Sequence, residues 1–242
     1  MTHRLRRAAV ALLVIGVAGL SSFLNGCAHV EKAEGLRAKI DADSLLAQTC
    51  SIGRSVSEAK GVVLMKVKSR EASGQLNGDV RAQAPDTVEL EILQPLGGVW
   101  ATIRVQGPNY SVDVSGKPDQ GRKGHRVWAG IPLRFATDLF LGRIPCPPTG
   151  SRADAQINSE NELVVKGGGP NSSGTFIYRF RVHEGSFWPE SLHWELGLQG
   201  DGPVAVDFKF DEPEAVTRSP LRWEAHSDRG EIKLHWRHRD HT

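Results

Sequence analysis

The chain has 242 residues, 24% of them charged and 39% hydrophobic, with 26 glycines and a formal net charge of +2. Residues 1–26 hold three arginines and no acid, so the remainder sets 27 basic against 28 acidic side chains. That balance excludes the basic field nucleic acid requires, and equally an acidic tail for a cationic partner.

Arg4, Arg6 and Arg7 precede an uncharged apolar run from Ala8 to Leu20. The run is shorter than the ~20 residues a bilayer core requires, so residues 1–26 read as a signal peptide that is removed. Leu24-Asn25-Gly26-Cys27 follows and resembles the lipobox of bacterial lipoproteins, an aliphatic residue and two small or polar ones before the cysteine. The reading places a lipid on the Cys27 sulfur, and several acyl chains there would hold the protein on a membrane where one would bind only marginally. In enteric lipoproteins an aspartate after the lipidated cysteine signals retention in the inner membrane. Here Ala28 takes that place, so the expected location is the periplasmic face of the outer membrane of a Gram-negative-type bacterium.

Residues 27–42 read as the lipidated cysteine and a polar tether, and 43–242 as one β-domain, a length that all-β folds accommodate without dividing. Asp43 or Ser44 is a candidate cap for a short helix through Leu45 and Leu46 to Cys50. From Val62 the apolar period becomes two. Val88, Leu90 and Ile92 alternate with Glu89 and Glu91; Val99, Ala101, Ile103 and Val105 alternate with Thr102 and Arg104; Tyr110, Val112 and Val114 alternate with Ser111 and Asp113. Such alternation marks antiparallel strands with one buried and one wet face. Turn signals fall at Gly74, Asn77-Gly78, Pro85-Asp86, Pro95 to Gly98 and Gly107 to Asn109.

One later stretch has helical spacing: Leu133, Thr137, Phe140 and Leu141, with Leu139 adjacent, between Pro132 and Gly142. Strand patterns then resume at Leu163 to Val165, Phe176 to Val182, Leu192 to Leu198, Val204 to Phe210, Leu221 to Ala225 and Ile232 to Trp236. The expectation is a mainly β fold of roughly eleven strands in a single strongly curved antiparallel sheet, with a short N-terminal helix and a lid helix. A sheet of that length curls into a barrel or folds into a sandwich.

Cys50 and Cys146 are a candidate disulfide in an oxidising envelope, with two separate buried thiols as the alternative. No catalytic motif is present: no G-x-S-x-G elbow, no phosphate loop, no H-E-x-x-H. Gly167-Gly168-Gly169-Pro170 reads as a turn, and Asp211, Glu212 and Glu214 as solvated loop acids. His235, His238 and His241 recur every third residue, a spacing that on a strand alternates faces, so they read as a solvated, partly disordered terminus rather than metal ligands. The chain is thus expected to be neither an enzyme nor a cofactor or metal binder.

Glu89 to Leu93 followed by Gln94-Pro95-Leu96-Gly97-Gly98, an alternating strand, the strand Tyr110 to Val114, and an apolar helix ending Gly142-Arg143-Ile144-Pro145 resemble the LolB family of outer-membrane lipoprotein receptors. The resemblance covers residues 60 to about 146. It implies an open half-barrel whose apolar interior receives the acyl chains of lipidated proteins from a LolA-like periplasmic carrier, acting as a monomer. It also makes Pro95, Leu96 and Gly97 a membrane-insertion loop; the alternative for Leu96 is a side chain folded back onto the sheet. Leu139, Phe140, Phe176, Phe180, Trp194, Phe208 and Trp236 become cavity or lid candidates, with a plainly packed core as the alternative for the aromatic residues. The family's second lid segment has no counterpart, because Cys146-Pro147-Pro148-Thr149-Gly150 leads almost directly into new strands. A different function class, a structural or assembly lipoprotein docking onto an envelope complex with no ligand cavity, is the competing reading.

Overall fold

The computed structural model describes residues 35–70, 73–148, 153–167, 174–196 and 204–242. The expected signal peptide, Cys27 with its lipid, and Gly168 to Ser173 lie outside the described residues. In chain order the elements are α1 (Leu36–Lys39), α2 (Ala42–Ser51), β1 (Glu58–Ser69), β2 (Ser73–Gln83), β3 (Thr87–Leu93), β4 (Val99–Gln106), β5 (Asn109–Val114) and β6 (Arg122–His125). A ribbon of β7 (Val127–Trp128) and β8 (Ile131–Pro132) leads through a 3-10 turn, Leu133–Phe135, into α3 (Ala136–Phe140). The second run of strands is β9 (Asp154–Ile157), β10 (Leu163–Gly167), β11 (Gly174–His183), β12 (Ser186–Leu196), β13 (Val204–Pro213), β14 (Pro220–Ser227) and β15 (Gly230–His241).

All but the ribbon join one antiparallel sheet of 13 strands in the order β6-β5-β4-β3-β2-β1-β15-β14-β13-β12-β11-β10-β9. The sheet does not close, since β6 and β9 are its two edges. The count exceeds the roughly eleven expected because the edge strands span four residues each, too short to show alternation. Elsewhere the alternation places side chains as the pleat requires: Val88, Leu90 and Ile92, then Ala101, Ile103 and Val105, are all buried on one face.

Three local expectations need correction. The α2 cap is Asp41, whose side chain accepts from Ser44 N at 2.9 Å; Ser44 supplies the donor and is not itself the cap. Leu36 is buried, so the packed body reaches into the stretch expected to be tether. Asn77-Gly78 is no turn but the interior of β2, where a Cβ on Gly78 would lie 2.6 Å from Leu90 Cδ1 and 2.8 Å from Glu91 O. That glycine serves close approach to the next strand.

The carboxyl terminus is also more ordered than expected. β15 runs to His241, which pairs with Ala59, and its register against Val62 and Val63 skips Arg237, a bulge in β15. Among the described residues no group of three or more His, Cys, Asp or Glu could hold a metal ion.

Glu214, expected as a solvated loop acid, is instead clasped by β15. Arg239 Nε donates to Glu214 Oε1 at 3.1 Å, and Nη1 donates to the Pro220 carbonyl at 3.1 Å. Arg239 Nη2 lies 2.9 Å from Oε2, at an angle too bent for a hydrogen bond. Burial raises the Glu214 pKa, but hydrogen bonds from Arg239 and Thr217 outweigh it and hold the carboxyl below its ordinary value. A pKa lowered on folding contributes stability that is present above the unfolded value and is lost as pH falls through the folded one. Glu214→Gln is therefore expected to cost about 2 kcal/mol at neutral pH. In urea titrations the gap from the wild-type protein should narrow from about pH 5 downward; a gap independent of pH would disprove the clasp's charge dependence.

Candidate functional site

Residues 127–147 form a strap across the buried face of the sheet, held firmly at its carboxyl end. Cys146 is joined to Cys50 of α2 across a sequence separation of 96. Arg143 donates from Nη2 to Val56 O at 2.5 Å and from Nε to Gly53 O at 3.4 Å, and its Nη1 lies 3.4 Å from Asp138 Oδ1. Tyr178 Oη donates to Pro145 O at 2.8 Å, and burial pushes that phenol's pKa far up, so it remains a donor. Gly142, with φ of 73°, ends α3; a Cβ there would sit 2.5 Å from Arg239 Nη1. Ser219 Cβ would be 2.7 Å from it as well, and a positive φ of this size favours glycine.

The strap begins as a two-residue hairpin whose turn, Ala129-Gly130, has φ of 51° and 81°. These are the paired positive angles that match the twist of a tight hairpin. The turn abuts β15: a Cβ on Gly230 would lie 2.2 Å from Ala129 O.

The expected helix over Pro132 to Gly142 is shorter than its spacing implied. Pro132 is in β8, Leu133–Phe135 make a 3-10 turn, and only Ala136–Phe140 is α-helical. The change of turn sends side chains in different directions. Leu133, Leu139 and Phe140 border an apolar cavity against Met65, Leu90 and Trp223, with the Phe140 ring edge-on to Trp223 at 5.8 Å. The cavity measures about 40 Å³, enough for little more than a few waters and far short of a long acyl chain.

Phe135 fills the other half of the interior. Its ring packs edge-on to Trp194 at 4.9 Å, Phe208 at 5.6 Å and Phe176 at 6.5 Å. The Arg134 guanidinium lies 4.8 Å from the Phe135 ring centre and 5.3 Å from that of Trp194. Burial pulls its pKa below the ordinary value, and the aromatic faces compensate part of that cost.

Of the cavity candidates read from sequence, Leu139 and Phe140 border the apolar cavity. Phe176, Trp194 and Phe208 are instead packed around Phe135, Phe180 packs beside Tyr178 with ring centres 6.5 Å apart, and Trp236 is buried under the Arg239 guanidinium at 5.6 Å. Sequence reasoning missed Trp128, Phe135 and Trp223. The last shares a face with Leu221 and Ala225 at a spacing of two and was readable as an inward position; the first two lie on the ribbon and the 3-10 turn, which have no periodic signal.

Leu96 sits at the tip of the β3–β4 connection, where Gly98 O accepts from Gln94 N at 3.0 Å and Gln94 O from Gly97 N at 3.1 Å. Gly97 and Gly98 carry φ of 95° and 84°, angles glycine adopts at no steric cost. Leu96 is 100% exposed and Trp100 45% exposed, so Leu96 does not fold back onto the sheet.

No protein-family model matches the chain, and no curated protein matches it. Solved structures share its fold. A LolA superfamily protein from Nitrosomonas europaea superposes with a TM-score of 0.51 at 11% identity, over 83% of this chain and 93% of that one. A domain from Vibrio parahaemolyticus described as an outer membrane lipoprotein-sorting protein gives 0.51 at 6% identity, over 82% and 91%. A DUF1329 family protein from Desulfovibrio piger gives 0.50 at 7% identity, over 84% and 94%. At these identities the likeness is one of fold, a large open antiparallel sheet with short helices.

Proposed function

We propose that this chain is an outer-membrane lipoprotein of LolB-like role, anchored through Cys27 on the periplasmic face. In this reading it takes the acyl chains of lipidated proteins, or another amphiphile, from a LolA-like carrier into the apolar space beneath the strap and helps deliver them to the membrane. It acts as a monomer by binding alone, without cofactor or covalent chemistry, and direction comes from differences in affinity between carrier, receptor and membrane. The observation that carries the reading is the apolar cavity between the strap and the sheet, bordered by Leu139 and Phe140. The small volume means that a ligand must displace strap side chains.

The experiment places a photo-crosslinker at Phe140 and offers the protein an acylated or unacylated lipoprotein on its carrier. Crosslinking to the acylated form alone is the expected result; crosslinking to neither, in a folded protein, would overturn the proposal. Leu96→Glu is expected to leave the melting temperature unchanged, because the side chain is fully exposed. It should still accept cargo but fail to release it into vesicles, and normal release would remove the insertion role from Leu96.

The packing of Phe135 against three aromatic rings favours a second reading. A permanently filled interior suits a structural or assembly lipoprotein that docks onto an envelope complex, and then no amphiphile would bind at all.

A further inference from the structure

The β3–β4 tip and the β5–β6 connection share one end of the sheet. Ser115 N donates to Trp100 O at 2.9 Å, so the connection leaves β5 beside the root of the tip. Trp100 is the residue that the β3–β4 register skips, since Ile92 pairs with Ala101 and Leu93 with Val99, and such a bulge re-aims a side chain. The indole is left half-exposed in the same hairpin as the fully exposed Leu96. The connection and the start of β6 are basic: Lys117, Arg122 and Lys123 are all exposed, and Asp119 is the one acid between Ser115 and Arg126. Lys117 and Lys123 form no ion pair with a described residue. Cations on the neighbouring strands do, Arg104 with Glu89 at 2.7 Å and Asp113 at 2.9 Å, and Arg81 with Glu58 at 3.0 Å. Every residue from Gln94 to Arg126 is described, and β3 and β4 stand between the connection and the β1–β2 turn.

We infer that this end of the sheet docks on an anionic lipid surface, with Leu96 and Trp100 entering the bilayer and Lys117, Arg122 and Lys123 meeting the headgroup phosphates. The inference rests on the membrane-insertion reading of Leu96 and adds the charge class of the membrane that the tip selects. Apolar side chains do not distinguish one bilayer from another. Cations beside them do, because each one close to an anionic surface strengthens partitioning by about fivefold, and an indole is well placed at headgroup level. Arg122 and Lys123 are consecutive on a strand, so they lie on opposite faces of β6. The charge therefore flanks the end of the sheet on both sides, which fits a plane met end-on better than a protein docked against one face.

The test reconstitutes the full membrane-purified protein into vesicles whose acyl chains carry bromine, made either of phosphatidylcholine or of an equimolar mixture with phosphatidylglycerol. Bromine quenches an indole that enters the bilayer, and the difference between the wild-type protein and Trp100→Phe isolates Trp100, the most exposed of the six tryptophans. That quenching is expected to be at least about fivefold greater with phosphatidylglycerol than without, and to lose the difference at high salt. Lys117→Gln with Lys123→Gln should remove most of the difference and leave the melting temperature unchanged, because both side chains are exposed. The double Arg variant should keep it. Equal quenching in the two membranes, or a double Gln variant that retains the difference, overturns the charge assignment and leaves the insertion of Leu96 standing. Absence of Trp100 quenching in both membranes fails the insertion reading itself, and with it this one; it is the result that a tip docked on a protein partner would give.

Discussion

Replacing Phe135 with alanine is expected to lower stability and raise affinity for an amphiphile at once. The ring is 2% exposed and meets three aromatic rings edge-on. Removing a buried phenylalanine costs about 3–5 kcal/mol, part of it for the space left behind. That space would adjoin the segment whose Leu133 and Leu139 border the apolar cavity, so the loss to folding becomes room for a chain. Urea unfolding measures the first effect, and titration with a fluorescent fatty acid the second. A loss of stability with no gain in binding would identify the aromatic cluster as plain core and favour the assembly reading.

The second large effect concerns the disulfide. Cys50 and Cys146 close a loop with a sequence separation of 96, and such a cross-link restricts the unfolded chain by about 4–5 kcal/mol in the chain-entropy model. The double variant Cys50→Ser with Cys146→Ser should show that loss as a lower guanidinium midpoint. It should also free the carboxyl end of the strap from α2, leaving Arg143 and Tyr178 as its anchors. Arg143 bonds two carbonyls of the α2–β1 connection and Tyr178 one of the strap itself, so the strap should stay in place and ligand affinity should change less than stability. A midpoint shift below about 1 kcal/mol in free energy would contradict the loop-closure argument.

The strands were legible because half of each is buried: Phe176 to Val182, Val206 to Phe210 and Ile232 to Trp236 each write the pleat directly into the sequence. The strap was not. Its hairpin turns on Ala129 with a positive φ, where an asparagine or glycine would have announced the turn. Its helix is little more than one turn long, with Thr137, Leu139 and Phe140 buried, so the apolar spacing of residues 133–141 indicated a longer helix than three short conformations in sequence provide. Phe135 has the same difficulty, since its importance comes from Phe176, Trp194 and Phe208 on strands that follow much later in the chain. Leu96 stood out from its Pro-Leu-Gly-Gly setting, but only the structure distinguished a projecting side chain from one folded back.

The middle of the sheet has a bearing on how the chain folds. The first strand and the last lie side by side there, Ala59 against His241 and Ser69 against Gly230. β1 to β5 pair in succession with near neighbours, so that meander needs only short loop closures. Its inner border, however, offers unpaired backbone groups until the final strand arrives. Contacts so remote in sequence form slowly, and an open strand border is where chains stick to one another. Loss of the last dozen residues would therefore do more than shorten the protein: it would part the two halves along their shared line and leave two exposed borders in place of a continuous sheet.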